Sequence, residues 1–248
     1  MRLEGLPVMS HRLFNLEEAA EYLHLTPEEV TRRVKDREIP FEMRGDRAVF
    51  RKQDIDQWAS QRILGLSKNR LVEYHLKSSQ SARELQECLM PSMLDRGVID
   101  SAMTAKTKAS VMRELVELAD KSWQVSDTRG LLASLEAREA LGSTAVPGGL
   151  ALPHPRFHDQ YLFESSFLVI GRSLQEIHFG APDGQPTDLF FLICCQDDRL
   201  HLLTLARLCL MAQKTELLAA LRAAPDAEGM RAALVESEQR VLNDSTRA

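Results

Sequence analysis

Residues Arg138 to Arg156 read R-E-A-L-G-S-T-A-V-P-G-G-L-A-L-P-H-P-R, and this stretch decides the fold of the larger part of the chain. Leu150-Ala151-Leu152 has the make-up of a short buried strand, and Pro153 ends its ladder because proline donates no backbone hydrogen bond. His154 therefore stands at a strand exit, where an imidazole is rigidly mounted and partly exposed. Ala145-Val146 is a second short strand, set off by the turn Pro147-Gly148-Gly149. Arg138 and the Gly142-Ser143-Thr144 turn can return to the same place. Neutral imidazole is a nucleophile near pH 7. An arginine fork, two hydroxyls and turn amides are what an incoming phosphoryl group requires. Pro155 withholds one N–H beside His154, and Arg156 is placed to compensate. A lone histidine after a strand is usually structural; these neighbours reverse that reading.

Working outward, Thr107 to Ala119 places Val111, Leu115, Val116 and Leu118 on a helical repeat. Asp127 to Leu141 reads as a second helix that ends at Gly142, a C′ glycine. Phe167 to Ile170 and Asp188 to Cys195 are strands, and His201 to Ala212 and Thr215 to Ala224 return to helical spacing. Helices before, between and after strands specify an α/β domain with a mixed sheet flanked by helices.

This part of the chain, from about residue 90 to residue 248, resembles enzyme IIA of the fructose/mannitol and nitrogen-regulatory class (type 2) of the bacterial sugar phosphotransferase system. Members carry R-E-x-x-G-S-T, a glycine-rich turn, then hydrophobic-Ala-hydrophobic-Pro-His. Here these are Arg138-Glu139, Gly142-Ser143-Thr144 and Leu150 to His154. The likeness continues through D-G-Q-P-x-D-L at Asp183 to Leu189 and His-x-x-x-x-L/A at His201 to Ala206. The resemblance implies that His154 accepts phosphoryl from a histidine phosphocarrier of the HPr or NPr kind, that His201 is a second histidine facing it, and that Arg138 stabilises the group. Ser143, Thr144 and Arg156 are the further residues expected around the phosphoryl.

The N-terminal part reads differently. From Leu13 to about Gly65, Asn15 is an N-cap with Glu17 and Glu18 in the first turn, and Leu16, Ala19, Ala20 and Leu23 share one helical face. Thr26-Pro27-Glu28-Glu29 is a capping box with proline at the first helical position. In that second helix Val30 and Val34 point inward, leaving Thr31, Arg32 and Lys35 outward with Arg33 beside them. The alternation around Gly45-Asp46 reads as a hairpin with a two-residue turn tipped by Arg44 and Arg47, and a third helix starts near Gln53. A helix bearing Thr and Arg plus an Arg-tipped wing suits groove reading and phosphate clamping. Leu13 to Trp58 is similar to the excisionase-type, MerR-like winged helix-turn-helix family. That likeness rests on Glu18-Ala19-Ala20-x-x-Leu23, the capped second helix, the Pro40 step, the short wing and Asp54-Ile55-x-x-Trp58. It implies double-stranded DNA as a partner, read by Thr31, Arg32, Arg33, Lys35, Arg44 and Arg47.

The expected architecture is thus two domains: a small, mostly α winged helix-turn-helix over 1–65 and a IIA type 2-like α/β domain over 90–248. Between them, 66–89 reads as a polar linker with short helical pieces, and His75 within it as a surface residue. Composition fits an ordinary globular chain, at 44% hydrophobic and 27% charged residues. No apolar run reaches the roughly 20 residues a membrane span needs, and the N-terminus lacks a signal-peptide core, so a cytoplasmic location with no membrane partner is expected. Cys88, Cys194, Cys195 and Cys209 lack C-x-x-C spacing and read as buried small hydrophobes in a reducing compartment. None of the seven histidines stands at ligand spacing to a cysteine pair, so neither metal nor other cofactor is expected. A net charge of -5 excludes wholesale nucleic-acid coating but not a local basic face.

Three functions meet these features. The first is a regulator that takes phosphoryl on His154 and couples it to DNA binding or transcription control. The second is a phosphoryl-carrying phosphotransferase component serving a sugar permease. The third is a IIA-like binding module that has lost phosphorylation. Other regulatory proteins and a second copy of the chain, as a homodimer, are partners the sequence leaves open.

Overall fold

The computed structural model describes residues 13–80, 89–156 and 162–245, and divides into two compact units between Ala59 and Ser60. In the first unit a short strand β1 (Leu13–Phe14) leads into helix α1 (Leu16–Tyr22). Asn15 caps α1 by accepting from the Glu18 amide, while the Glu18 carboxylate accepts from the Asn15 amide. Helix α2 (Pro27–Lys35) begins with the same reciprocal device, Thr26 with Glu29, and with Pro27 where no amide is needed. Strands β2 (Glu42–Arg44) and β3 (Arg47–Arg51) then form a hairpin in which Arg44 faces Arg47 across Gly45-Asp46. Gly45 has φ +61, a left-handed conformation that glycine adopts without a Cβ clash. Strand β1 adds to β3, giving a three-stranded sheet in the order β1-β3-β2. Helix α3 (Lys52–Leu64) follows. Phe14, Ala19, Ala20, Leu23, Val30, Ile39, Phe50 and Ile55 fill the core of this unit.

The second unit holds a mixed five-stranded sheet flanked by helices. Its elements after α3 are α4 (Lys68–Gln80), α5 (Met90–Asp95), β4 (Val98–Met103), α6 (Lys108–Asp120), α7 (Thr128–Glu139), β5 (Ala145–Val146) and β6 (Leu150–Ala151). They continue with β7 (Phe167–Ile177), β8 (Thr187–Cys194), α8 (Asp198–Lys214), α9 (Leu217–Ala223) and α10 (Ala227–Ser245). The strand order is β4-β7-β8-β6-β5, with β4-β7 and β6-β8 parallel and β7-β8 and β5-β6 antiparallel. Every residue of β8 from Leu189 to Cys194 is buried, which requires cover on both faces of the sheet. On one face α6 and α7 contribute Val111, Met112, Leu115, Leu131 and Leu135 against Phe190, Leu192 and Cys194. On the other, α8 is buried all round from His201 to Met211, between the sheet and further helices.

Three features differ from the sequence reading. The connector, read as a polar linker with short helical pieces, does form a helix, α4, but one that packs along α8 with Leu71, Tyr74 and His75 buried. His75, expected at the surface, is 1% exposed, because Arg207 Nε on α8 donates to its Nε2 at 3.1 Å. The division between units also falls inside α3, ahead of the expected boundary at 65. Cys194, Cys195 and Cys209 are buried free thiols, and burial pushes Cys209 up to about 12. Cys88 and His158 lie outside the described residues, while His178 is exposed on its loop.

Candidate active site

Strand β6 delivers the chain to Leu152, Pro153 and His154, and its pairing with β8 extends one step further, as the Ile193 amide donates to Pro153 O at 2.9 Å. His154 Nδ1 lies 2.8 Å from Leu152 O. A carbonyl only accepts, so Nδ1 carries the proton. Nε2 then holds a lone pair, and the Arg138 Nε–H donates to it at 2.9 Å. The two contacts agree on one neutral tautomer. Arg138 itself is 1% exposed in the last turn of α7, and its Nη1 donates to Gly142 O at 3.0 Å. Burial lowers the guanidinium's hold on its proton, and the Glu139 carboxylate next to it opposes that. Among the described residues, Arg138 Nη2 is a buried donor with no hydrogen-bond partner. Such a donor costs free energy in the resting site and suits an anion.

His201 enters from the first turn of α8. The two imidazole centroids are 4.6 Å apart and the rings are tilted by 48°. Ser60, in the part of α3 that belongs to the second unit, places Oγ 3.2 Å from His201 Nε2. Both histidines are buried, His154 at 2% and His201 at 1% exposure.

The turn between α7 and β5 has work of its own. Ser143 Oγ donates to Phe179 O at 3.0 Å, and Thr144 Oγ1 donates to Glu139 Oε2 at 2.7 Å. In this state both hydroxyl protons, expected on the phosphoryl, brace the loop instead. Glu139 also accepts from the Thr144 amide and pairs with Lys108 Nζ at 2.6 Å. Glu139 and Lys108 are supporting residues the sequence reading did not single out. Glu139 sits beside Arg138 in a recognised motif, but Lys108 reaches it from α6 and carried no local signal. Arg156 is anchored by its backbone N–H to Ser134 Oγ at 3.0 Å. The turn that precedes β6 is latched from α9, where Arg222 pairs with Asp188 at 2.6 Å and donates to Gly148 O at 2.7 Å. The structure thus brings Arg138, His154 and His201 together and surrounds them with a hydrogen-bonded frame. Among the described residues, no group of three or more His, Cys, Asp or Glu is placed to hold a metal ion.

The second candidate surface lies on the first unit. Arg32 and Lys35 on α2 and Arg44 and Arg47 at the hairpin tip are exposed. Thr31 is half-buried and donates its hydroxyl to Pro27 O at 2.8 Å. Arg33 differs from the expectation that it reads DNA. It pairs with Glu38 at 2.8 Å and lies over the Trp58 ring at 5.6 Å, so it braces the fold. Glu38, just past the end of α2, is the reason. Among the described residues no helix is long and apolar enough to cross a membrane.

A family model described as "Phosphoenolpyruvate-dependent sugar phosphotransferase system, EIIA 2" matches residues 92–237, and one described as "Helix-turn-helix domain" matches residues 13–63. The nitrogen regulatory protein of Bradyrhizobium diazoefficiens is 34% identical over 125 residues, 49% of this chain and 80% of that protein. The PTS system fructose-specific EIIABC component of Bacillus subtilis is 27% identical over 127 residues, 50% of this chain and only 20% of that much longer protein. The crystal structure of nitrogen regulatory protein IIA-Ntr from Neisseria meningitidis matches with a TM-score of 0.51 at 25% identity, over 59% of this chain and 99% of that one.

Proposed function

Because the chain belongs to the EIIA 2 family of the phosphoenolpyruvate-dependent sugar phosphotransferase system, we propose that His154 accepts a phosphoryl group from a histidine phosphocarrier and that this event regulates DNA binding by the helix-turn-helix unit. The observation that carries the reading is the fixed tautomer of His154, with its Nε2 lone pair held against a buried arginine.

In the transfer, the Nε2 lone pair attacks phosphorus as the donor's own N–P bond breaks. The bonding pair returns to the donor imidazole, which leaves neutral. His154 keeps its Nδ1 proton on Leu152 O and becomes a phosphoimidazolium, so no net proton is required. Arg138 yields its contact to Nε2 and turns its donors to the phosphoryl oxygens, its Nη2 having no hydrogen-bond partner among the described residues. A charge-assisted fork of this kind is the stronger class of hydrogen bond, and charge stabilisation is the main contribution a protein makes to phosphoryl transfer. His201, ring against ring with His154, lines the other side.

The helix-turn-helix match and the exposed Arg32, Lys35, Arg44 and Arg47 favour a regulator over a subunit that only feeds a permease. The test is incubation of the full chain with phosphoenolpyruvate, enzyme I and a histidine phosphocarrier, followed by intact mass. One acid-labile phosphoryl is expected. His154→Ala should take none, and Arg138→Gln should take it about 10²–10³-fold more slowly, the usual effect of removing one preorganised donor. Unchanged labelling of His154→Ala would overturn the acceptor assignment. An unlabelled wild-type chain would leave a IIA-like binding module.

A further inference from the structure

An acceptor histidine must meet phosphorus on another macromolecule, yet His154 and His201 are almost wholly buried here. Part of the cover comes from the chain itself. Ser60 Oγ reaches His201 Nε2 at 3.2 Å. From there α4 runs along α8, the helix that carries His201, with Leu71 and Tyr74 buried and His75 bonded to Arg207. Gln213 at the far end of α8 donates to Leu66 O at 3.4 Å. The geometry points to an interaction surface for the histidine phosphocarrier: during transfer the carrier docks over the part of α8 around His201 that the chain's own Ser60–Gln80 segment, through Ser60, covers in the resting state. This inference rests on His154 being the acceptor.

Two observations say that the segment can leave. The family match begins at residue 92, so Ser60–Gln80 is an addition to a domain matched without it. Its removal also strands no buried charge, because Arg207 keeps Glu238 as a partner, with Nη1 2.8 Å from Oε1. Among the contacts it gives up are the Ser60–His201, Arg207–His75 and Gln213–Leu66 hydrogen bonds and the burial of Leu71 and Tyr74. Each bond of this kind is modest in net terms, because water replaces it when it opens. A phosphoryl group on His154, whose ring centroid is 4.6 Å from that of His201, adds bulk and acceptor oxygens next to the Ser60–His201 contact and so disturbs the seat of the segment. The segment is covalently continuous with the helix-turn-helix unit through α3, so its release is the physical step by which phosphorylation is read.

Hydrogen exchange over residues 62–78 of the full chain, free and after phosphorylation, is the decisive measurement. Phosphorylation is carried out in parallel with the phosphocarrier and with phosphoramidate, a donor small enough to enter without docking. Protection should fall on phosphorylation by roughly tenfold or more, within the usual span of conformational coupling. Leu71→Asn, which loosens α4 without touching the histidines, should speed labelling by the phosphocarrier more than labelling by phosphoramidate. Protection that is unchanged in chain labelled on His154, with Leu71→Asn labelled no faster than wild type, would overturn the shared surface and leave the acceptor reading intact. Absence of label from either donor, in wild type and variant alike, would overturn the acceptor reading and the shared surface with it.

Discussion

The arginines of the two units have the same chemistry and opposite circumstances. Arg138 and Arg207 are buried, each tied to an imidazole, and Arg207 is further paired with Glu238. Arg32, Arg44 and Arg47 stand exposed on a helix and a hairpin tip. A guanidinium that must meet one atom of one histidine loses its freedom when the protein folds. One that must meet a phosphate backbone gains from keeping its reach and its hydration until a partner arrives. Arg33 shows how small the step is between the two: one residue from Arg32, it is drawn inward by Glu38 and Trp58 and belongs with the committed kind.

The comparison breaks most visibly at Glu238. This carboxylate is fully buried, pairs with Arg207 and accepts from the Leu89 and Met90 amides at 2.8 and 2.9 Å, capping α5 from across the fold. Glu238→Leu leaves a buried guanidinium without its counter-charge and should cost about 3–5 kcal/mol. Urea unfolding measures it, and a loss below about 1 kcal/mol would mean that Arg207 is not committed in the sense used above.

His75 offers a finer cut, because it is the other partner of Arg207. Burial first, and then the charges of Arg207 and Lys214, lower it from 6.5 to about 4. Between those values the unfolded chain binds the proton and the folded chain does not, so stability is full above pH 6.5 and is lost as pH falls toward 4. From pH 7.5 to pH 5 this one residue should remove about 2 kcal/mol. His75→Asn, which can still accept from Arg207, should flatten that part of the pH dependence. An identical slope in variant and wild type would place the proton elsewhere.

The smallest effects belong to the exposed arginines. Arg32→Ala and Arg47→Ala should leave the unfolding midpoint unchanged, since surface substitutions usually stay within about 0.5 kcal/mol. In a mobility-shift titration against the DNA upstream of the protein's own coding sequence, each should flatten the log–log salt dependence by about one unit. Binding indifferent to both changes would make the helix-turn-helix a protein-docking module.

Much of this was legible in the sequence because its signals are local. The capping box at Thr26, the Gly45-Asp46 turn and the strand read over Asp188 to Cys195, found at Thr187–Cys194, are each written within a few residues. Arg138, His154 and His201 were found through a motif, and the structure brings them together. What escaped was relational. β4 carries no clean alternation, and its two apolar residues at the start declare a strand only beside β7. His75 looks like a surface residue in a polar segment until Arg207, 132 positions on, claims it. Ser143 and Thr144 were assigned by motif to the phosphoryl, but the partners of their hydroxyls, Phe179 and Glu139, are visible only in three dimensions.

One of the glycines before β6 constrains how this molecule can drift over evolutionary time. Gly149 has φ +81, and a Cβ there would lie 2.5 Å from Arg222 Nη2 and 2.9 Å from Asp188 Oδ1. The glycine and the ion pair therefore occupy each other's space. A side chain at 149 would push the ion pair aside and would still be strained by the positive φ after the pair had gone, whereas the pair can be lost while the glycine stays. The backbone therefore holds position 149 to glycine more firmly than the latch holds Arg222 or Asp188 to their identities.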